Sequence, residues 1–162
     1  MRGKGKVWLD QVSLMPDTAR ASGGFRSDLL KAIADLRPPV IRWPGGCFVS
    51  GYHWRGGVGK NRQPCDDMAW GVREPNTFGT DEFVAWCRLV GCEPYICTNA
   101  GNGTPEEMRD WVAYCNATRG DLARLRADGG HPEPFNIRLW SIGNENWGGH
   151  EIGTKTPAEW AP

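Results

Sequence analysis

Asn144 and Glu145 follow directly on Ile137-Arg138-Leu139-Trp140-Ser141-Ile142, an apolar, strand-like run that breaks at Gly143. An amide and a carboxyl placed where a buried strand runs out occupy the end of an α/β sheet at which ligands bind and chemistry happens. Trp140 and Trp147 flank the pair. If both pack against it, their apolar surface disfavours the ionised carboxylate, and a carboxyl kept protonated near neutral pH is what a general acid needs. The plainer alternative is that Asn144 and Glu145 cap the turn that follows. Arg42 is a second candidate. It interrupts the short apolar strand Val40-Ile41-Arg42-Trp43, just before Pro44-Gly45-Gly46. A guanidinium inside such a strand is costly unless it is paired, so Arg42 is expected to face a polar centre at the strand's end.

The elements that must hold these groups can be read in order. Val7 to Met15 suits a strand and is stopped by Pro16-Asp17. Ala21 to Gly24 is a loop. Phe25, Leu29, Ile33 and Leu36 then share one helical face, which Arg37-Pro38-Pro39 ends. After the strand at Val40 to Trp43, the 32 residues from Cys47 to Phe78 hold no helical period. A segment of that length is either a functional loop or an insertion without a role. Thr80 to Val90 reads as a helix stopped by Gly91, and Pro94 to Asn99 as a strand. Thr104-Pro105-Glu106-Glu107 is a capping box with proline at the first helical position, so a helix should run to about Cys115. Asp121 to Ala127 adds a charged helical turn. Strands alternating with helices imply a parallel sheet with right-handed crossovers.

Composition narrows the partners. Lys plus Arg and Asp plus Glu both total 19, so a net charge of zero gives no support to nucleic acid or an anionic membrane. No apolar run is long enough to span a bilayer, and no apolar signal core follows the basic start Met1 to Lys6. The six Cys form no CxxC pair and suit a reduced, cytoplasmic setting. With the three His also scattered, neither a metal nor a cofactor is expected. Nine Trp exceed what a core alone needs and suit a sugar-binding or aromatic ligand site.

Thr156-Pro157-Ala158-Glu159 repeats the capping pattern, yet the sequence ends at Pro162. A helix start without a helix fits a piece of something longer, and a (β/α)₈ barrel needs about 250 residues. A small α/β domain with a short final turn is the alternative.

Several blocks together resemble the α-L-arabinofuranosidases of glycoside hydrolase family 51. They are Ile41 to Trp54 (IRWPGGCFVSGYHW), Asn76 to Phe83, Glu93-Pro94-Tyr95, Gly101 to Glu107 and Gly143 to Gly148. The resemblance implies an α/β fold, a partial (β/α)₈ TIM barrel of about the first four β/α units. Residues 1–162 would then be the N-terminal half of the catalytic domain. It implies retaining removal of terminal α-L-arabinofuranosyl groups from arabinoxylan or arabinan, without a cofactor. On that likeness Glu145 is the general acid/base and Asn144 holds the sugar 2-hydroxyl. Arg42 orders the carboxylates, Cys47 lies in the loop touching arabinose, and Trp70 is an aromatic wall on the leaving-group side. The family's nucleophile and its β-sandwich would fall after Pro162. A retaining enzyme needs two carboxyl groups about 5–5.5 Å apart. Glu74, Glu93, Glu133 and Glu151 lack a strand-end context, and Glu151 is close in sequence to Glu145, so none is expected to be that second group. A non-catalytic half-barrel that binds sugar or self-associates, and a relative cutting internal β-glucan bonds, are the competing readings.

Overall fold

The structure, a computed structural model, describes residues 5–9, 12 and 14–161. Its centre is a three-stranded parallel sheet of β1 (Val40–Trp43), β4 (Glu93–Thr98) and β5 (Leu139–Ile142), in the order β1-β4-β5. An antiparallel hairpin, β2 (Cys65–Asp67) with β3 (Val72–Glu74), stands apart from it. Helices α1 (Asp17–Ala21), α2 (Ser27–Asp35), α3 (Thr80–Val90), α4 (Pro105–Asn116), α5 (Asp121–Asp128) and α6 (Pro157–Trp160) complete the described chain.

The parallel sheet follows from the strand–helix alternation, and most expected elements lie within two residues of their expected bounds. The first strand does not. Across Val7 to Met15 the described residues carry no strand and are exposed, Trp8 at 87% and Leu14 at 99%, while Asp10, Gln11 and Ser13 lie outside the described residues. The α2 face also fails to bury: Leu29 and Leu36 are 50% and 79% exposed. Periodicity gave the helix but not its burial, because a stripe alone does not supply the neighbour that covers it.

Cys47 to Phe78 is likewise not a structureless loop. Two short 3₁₀ turns, Gly46–Gly51 and Trp54–Gly57, precede the hairpin, and Val49, Tyr52, Trp54 and Val58 are buried. Its first part delivers Tyr52 and Trp54 to the core, while Trp70 in the hairpin stays exposed. Trp54 stacks on Trp111 at 6.0 Å between centroids and 11° between planes, and donates Nε1–H to the Glu107 carbonyl. Trp43 stacks on Phe83 and meets Tyr52 and Trp111 edge-on. Trp43, Ile96 and Trp140 are register partners across the three strands, so one row of the sheet seats this aromatic layer. Much of the tryptophan surplus is therefore core.

The run into β5 is held by two polar devices. Asn116 uses both ends of its amide on the backbone of Ile137, accepting from its N–H at 2.8 Å and donating to its carbonyl at 3.0 Å. Arg126 has no exposed surface, and donates to the carbonyls of Tyr114, Ala117, His131 and Pro132. A buried guanidinium is tolerable only when so satisfied, and here it fixes the loop that aims β5. Thr104 caps α4 as expected by accepting from the Glu107 N–H, but the Glu107 carboxylate turns to His53 instead of closing the box.

Candidate active site

The C-terminal ends of β1, β4 and β5 open onto one face. Arg42 alternates away from the aromatic layer and reaches over the end of the sheet, where Nη1 and Nη2 both lie 3.3 Å from the Asn144 Oδ1. The expected polar centre at the end of its strand is thus Asn144. The Asn144 Nδ2 donates to Glu151 Oε1 at 3.1 Å, and Ser50 Oγ donates to Glu151 Oε2 at 2.7 Å. The Asn144 amide is consequently held from both sides, by a cation on its oxygen and an anion on its nitrogen.

Glu151 is the member that sequence reasoning set aside. Its side chain has no exposed surface. Two backbone bonds fold the chain back on itself, Gly148 N–H to the Glu145 carbonyl at 2.8 Å and Glu151 N–H to the Gly148 carbonyl at 3.0 Å. Closeness in sequence therefore brings Glu151 beneath Asn144 rather than keeping it from the site. The signal was there in Gly148-Gly149, a turn pair that precedes His150 and Glu151. Burial pushes the Glu151 carboxyl up, but hydrogen bonds from Ser50, Cys47 and Asn144 with the nearby His150 outweigh burial and hold it below the usual glutamate range. Its bond to Cys47, together with burial and its charge, raises the Cys47 thiol.

Glu145 has φ 46°, a left-handed backbone that a non-glycine residue adopts at a cost of about 1–2 kcal/mol. Such residues persist where the surroundings over-determine them, and they gather at functional sites. The conformation turns the carboxyl outward from the strand end, 53% exposed, with Oε2 3.2 Å from His150 Nε2. The apolar enclosure expected from Trp140 and Trp147 does not form. Trp140 turns back into the core and donates to the Ile137 carbonyl, while Trp147 is 79% exposed. A shallow cavity of about 430 Å³ beside Glu145 is lined by Ile142, Gly143, Asn146, Trp147 and Trp160.

Of the five residues singled out, Arg42, Asn144, Glu145 and Cys47 share this strand-end cluster. Trp70 does not join it. It is 63% exposed at the tip of the β2–β3 hairpin, where Asp67 accepts from the Ala69 and Trp70 N–H groups, and no ring contact or hydrogen bond ties it to Glu145 among the described residues.

Residues 32–156 match the family described as the alpha-L-arabinofuranosidase 1 domain. The chain belongs to that family. The family's "Probable alpha-L-arabinofuranosidase C" from Aspergillus clavatus is 49% identical over 141 residues, covering 85% of this chain and 28% of the relative. The "Intracellular exo-alpha-L-arabinofuranosidase" of Bacteroides ovatus is 41% identical over 149 residues, covering 89% and 28%. In crystal form, the Thermotoga maritima α-L-arabinofuranosidase in an arabinose complex superposes with a TM-score of 0.80 at 48% identity, covering 82% of this chain and 28% of that one. The GH51 arabinofuranosidase of Xanthomonas axonopodis gives 0.78 at 40% identity, covering 91% and 30%. The chain spans little more than a quarter of the length of these arabinofuranosidases. No helix among the described residues is long and apolar enough to cross a membrane.

Proposed function

We propose that this chain supplies the acid/base half of a retaining α-L-arabinofuranosidase, acting on terminal arabinofuranosyl groups of arabinoxylan- or arabinan-type saccharides. The observation that carries the reading is the Arg42–Asn144–Glu151 network at the strand ends, with Glu145 held beside it on a strained backbone. Glu145 protonates the departing glycosidic oxygen and later takes a proton from the attacking water. The Asn144 amide keeps one Nδ2 hydrogen beyond the bond to Glu151, and that hydrogen is offered to the sugar 2-hydroxyl. Arg42 fixes the Asn144 oxygen, Cys47 meets the arabinose, and Trp70 walls the leaving-group side from the hairpin tip. No carboxylate of this chain is assigned as nucleophile. Glu151, with both oxygens engaged, serves as a positioning residue.

We further propose that residues 1–162 form the N-terminal half of a (β/α)₈ barrel. The parallel order β1-β4-β5, an edge of β5 that no strand among the described residues pairs, and Leu139 and Ile142 at 42% and 68% exposure support this. An open edge and a bare apolar face are what further barrel strands cover, and what drives self-association when they are missing. A cytoplasmic location follows the printed name of the Bacteroides relative. The deciding experiment is Glu145→Ala in the full-length protein, assayed on aryl arabinofuranosides with good and poor leaving groups. A loss concentrated on the poor leaving group is expected. An equal loss on both would refute the acid role.

A further inference from the structure

We infer that Cys47, His150 and Glu151 form a three-ligand site for a zinc-class divalent cation, and that a bound cation occludes the sugar position. One sulfur, one imidazole nitrogen and one carboxylate oxygen from these residues lie within 4.8 Å of one another. Zinc bonds of about 2.0–2.3 Å put tetrahedral ligands about 3.3–3.8 Å apart, so the three must close by roughly 1 Å. The most exposed of them, His150 at 55%, is free to make that movement.

Donor chemistry selects the ion. Thiolate, imidazole and carboxylate suit zinc and its borderline neighbours, whereas magnesium and calcium take oxygen. One thiolate and one carboxylate balance a 2+ charge, the thiol proton passing to solvent as the metal–sulfur bond forms. The least mobile ligand is already oriented: Glu151 has no exposed surface and is held by Ser50 at 2.7 Å and Asn144 at 3.1 Å, leaving lone pairs on both oxygens. Outer-shell bonds of this kind are what set a ligand's direction in metal sites. Gly148 is an independent sign. A Cβ there would run into Cε1 and Nδ1 of the His150 ring, so glycine leaves the space in which the imidazole lies over the cluster. The fourth position stays open for water.

The occlusion clause rests on the proposed function. Cys47 and Asn144 are the groups assigned to arabinose, and His150 also lies 3.2 Å from Glu145. A cation at this site takes the first from the sugar and the imidazole from the acid/base.

The test uses purified, phosphine-reduced full-length protein freed of metal with chelator. Cobalt(II) is titrated first, followed by zinc by calorimetry, with Cys47→Ser, His150→Gln and Cys65→Ser alongside and circular dichroism as the check on folding. Expected are one cobalt per chain with a thiolate-to-cobalt absorption band in the near ultraviolet, loss of the band in C47S, and at least a tenfold weaker zinc affinity in H150Q. Cys65 is exposed and outside the cluster, so C65S keeps the band. A band that survives C47S, a band lost in C65S, or no band at all would overturn the site. Zinc must also raise KM for an aryl arabinofuranoside without lowering kcat; zinc bound with KM unmoved overturns the occlusion. Neither result touches the acid role, which Glu145→Ala decides separately.

Discussion

Behind the sheet and at its end, this protein uses polar groups in opposite ways. In the aromatic layer three buried donors each finish one packing contact, Trp111 donating to Thr80, Tyr114 to Asp81 at 2.7 Å and Trp54 to a carbonyl, while the Tyr52 hydroxyl is buried without a partner among the described residues. At the strand ends the polar groups hold one another and keep capacity over, in the second Asn144 hydrogen, the turned-out Glu145 and the half-exposed His150. The first arrangement spends its groups on rigidity. The second rests on that rigidity and leaves its groups able to act. Substitutions in the two regions should therefore separate cleanly into effects on stability and effects on turnover.

The largest separation is expected at Glu145. Its replacement by Ala should lower kcat/KM for a poor leaving group by 10²–10⁴-fold while the urea midpoint holds. A fall in both would merge the two regions and break the contrast. Trp111→Ala should do the reverse, costing about 3–5 kcal/mol in urea unfolding through the cavity it leaves among Trp43, Trp54 and Trp140. Next comes Glu151→Gln, which can present an amide to Asn144 where a carboxylate stood. Turnover should drop by up to about a hundredfold through misplacement, with kcat bearing more of the loss than KM. A purely structural Glu151 would leave kcat alone.

Asp81 gives the smallest and most diagnostic effect. Burial raises its carboxyl against the lowering from the Tyr114 hydroxyl. The folded protein therefore holds that proton more tightly than the unfolded chain. The stability it brings is complete below the ordinary aspartate value, about 3.9, and is lost as pH rises through the raised folded value. Asp81→Asn keeps an acceptor for Tyr114 and removes the titration. It should flatten the urea midpoint across that window and unfold no more easily at pH 7. A midpoint that still falls as pH rises there would assign the dependence to another group.

Legibility followed how local the cause was. Helices α3 and α4 were readable because a stop glycine and a threonine cap act within a few residues. Arg42 stood out because it breaks the pattern of its own strand, and Asn144 and Glu145 because they follow at once where a strand ends. The burial of Tyr52 and Trp54 was not, since it depends on α4 arriving more than 50 residues later. Glu151 and His150 were missed because the turn that returns them is tertiary in effect though short in sequence. The enclosure of Glu145 by Trp140 failed for a related reason: period-2 alternation sends Trp140 to the core row, away from the residues at the strand's end.

The loops that follow β1, β4 and β5 touch through bare backbone at Gly101. A methyl group there would strike the carbonyls of Ser50 and Ile152, one at Gly153 would strike Gly101, and Lys155 Nζ staples the Ala100, Gly101 and Gly153 carbonyls together. The three loops thus form a laminate, not three separate fingers. Lengthening one would pry the others apart. The hairpin tip is tied to the same laminate through Met68, whose sulfur accepts from the Asn102 amide and whose side chain lies against Gly51, so a change at Met68 would be felt by two of the three loops.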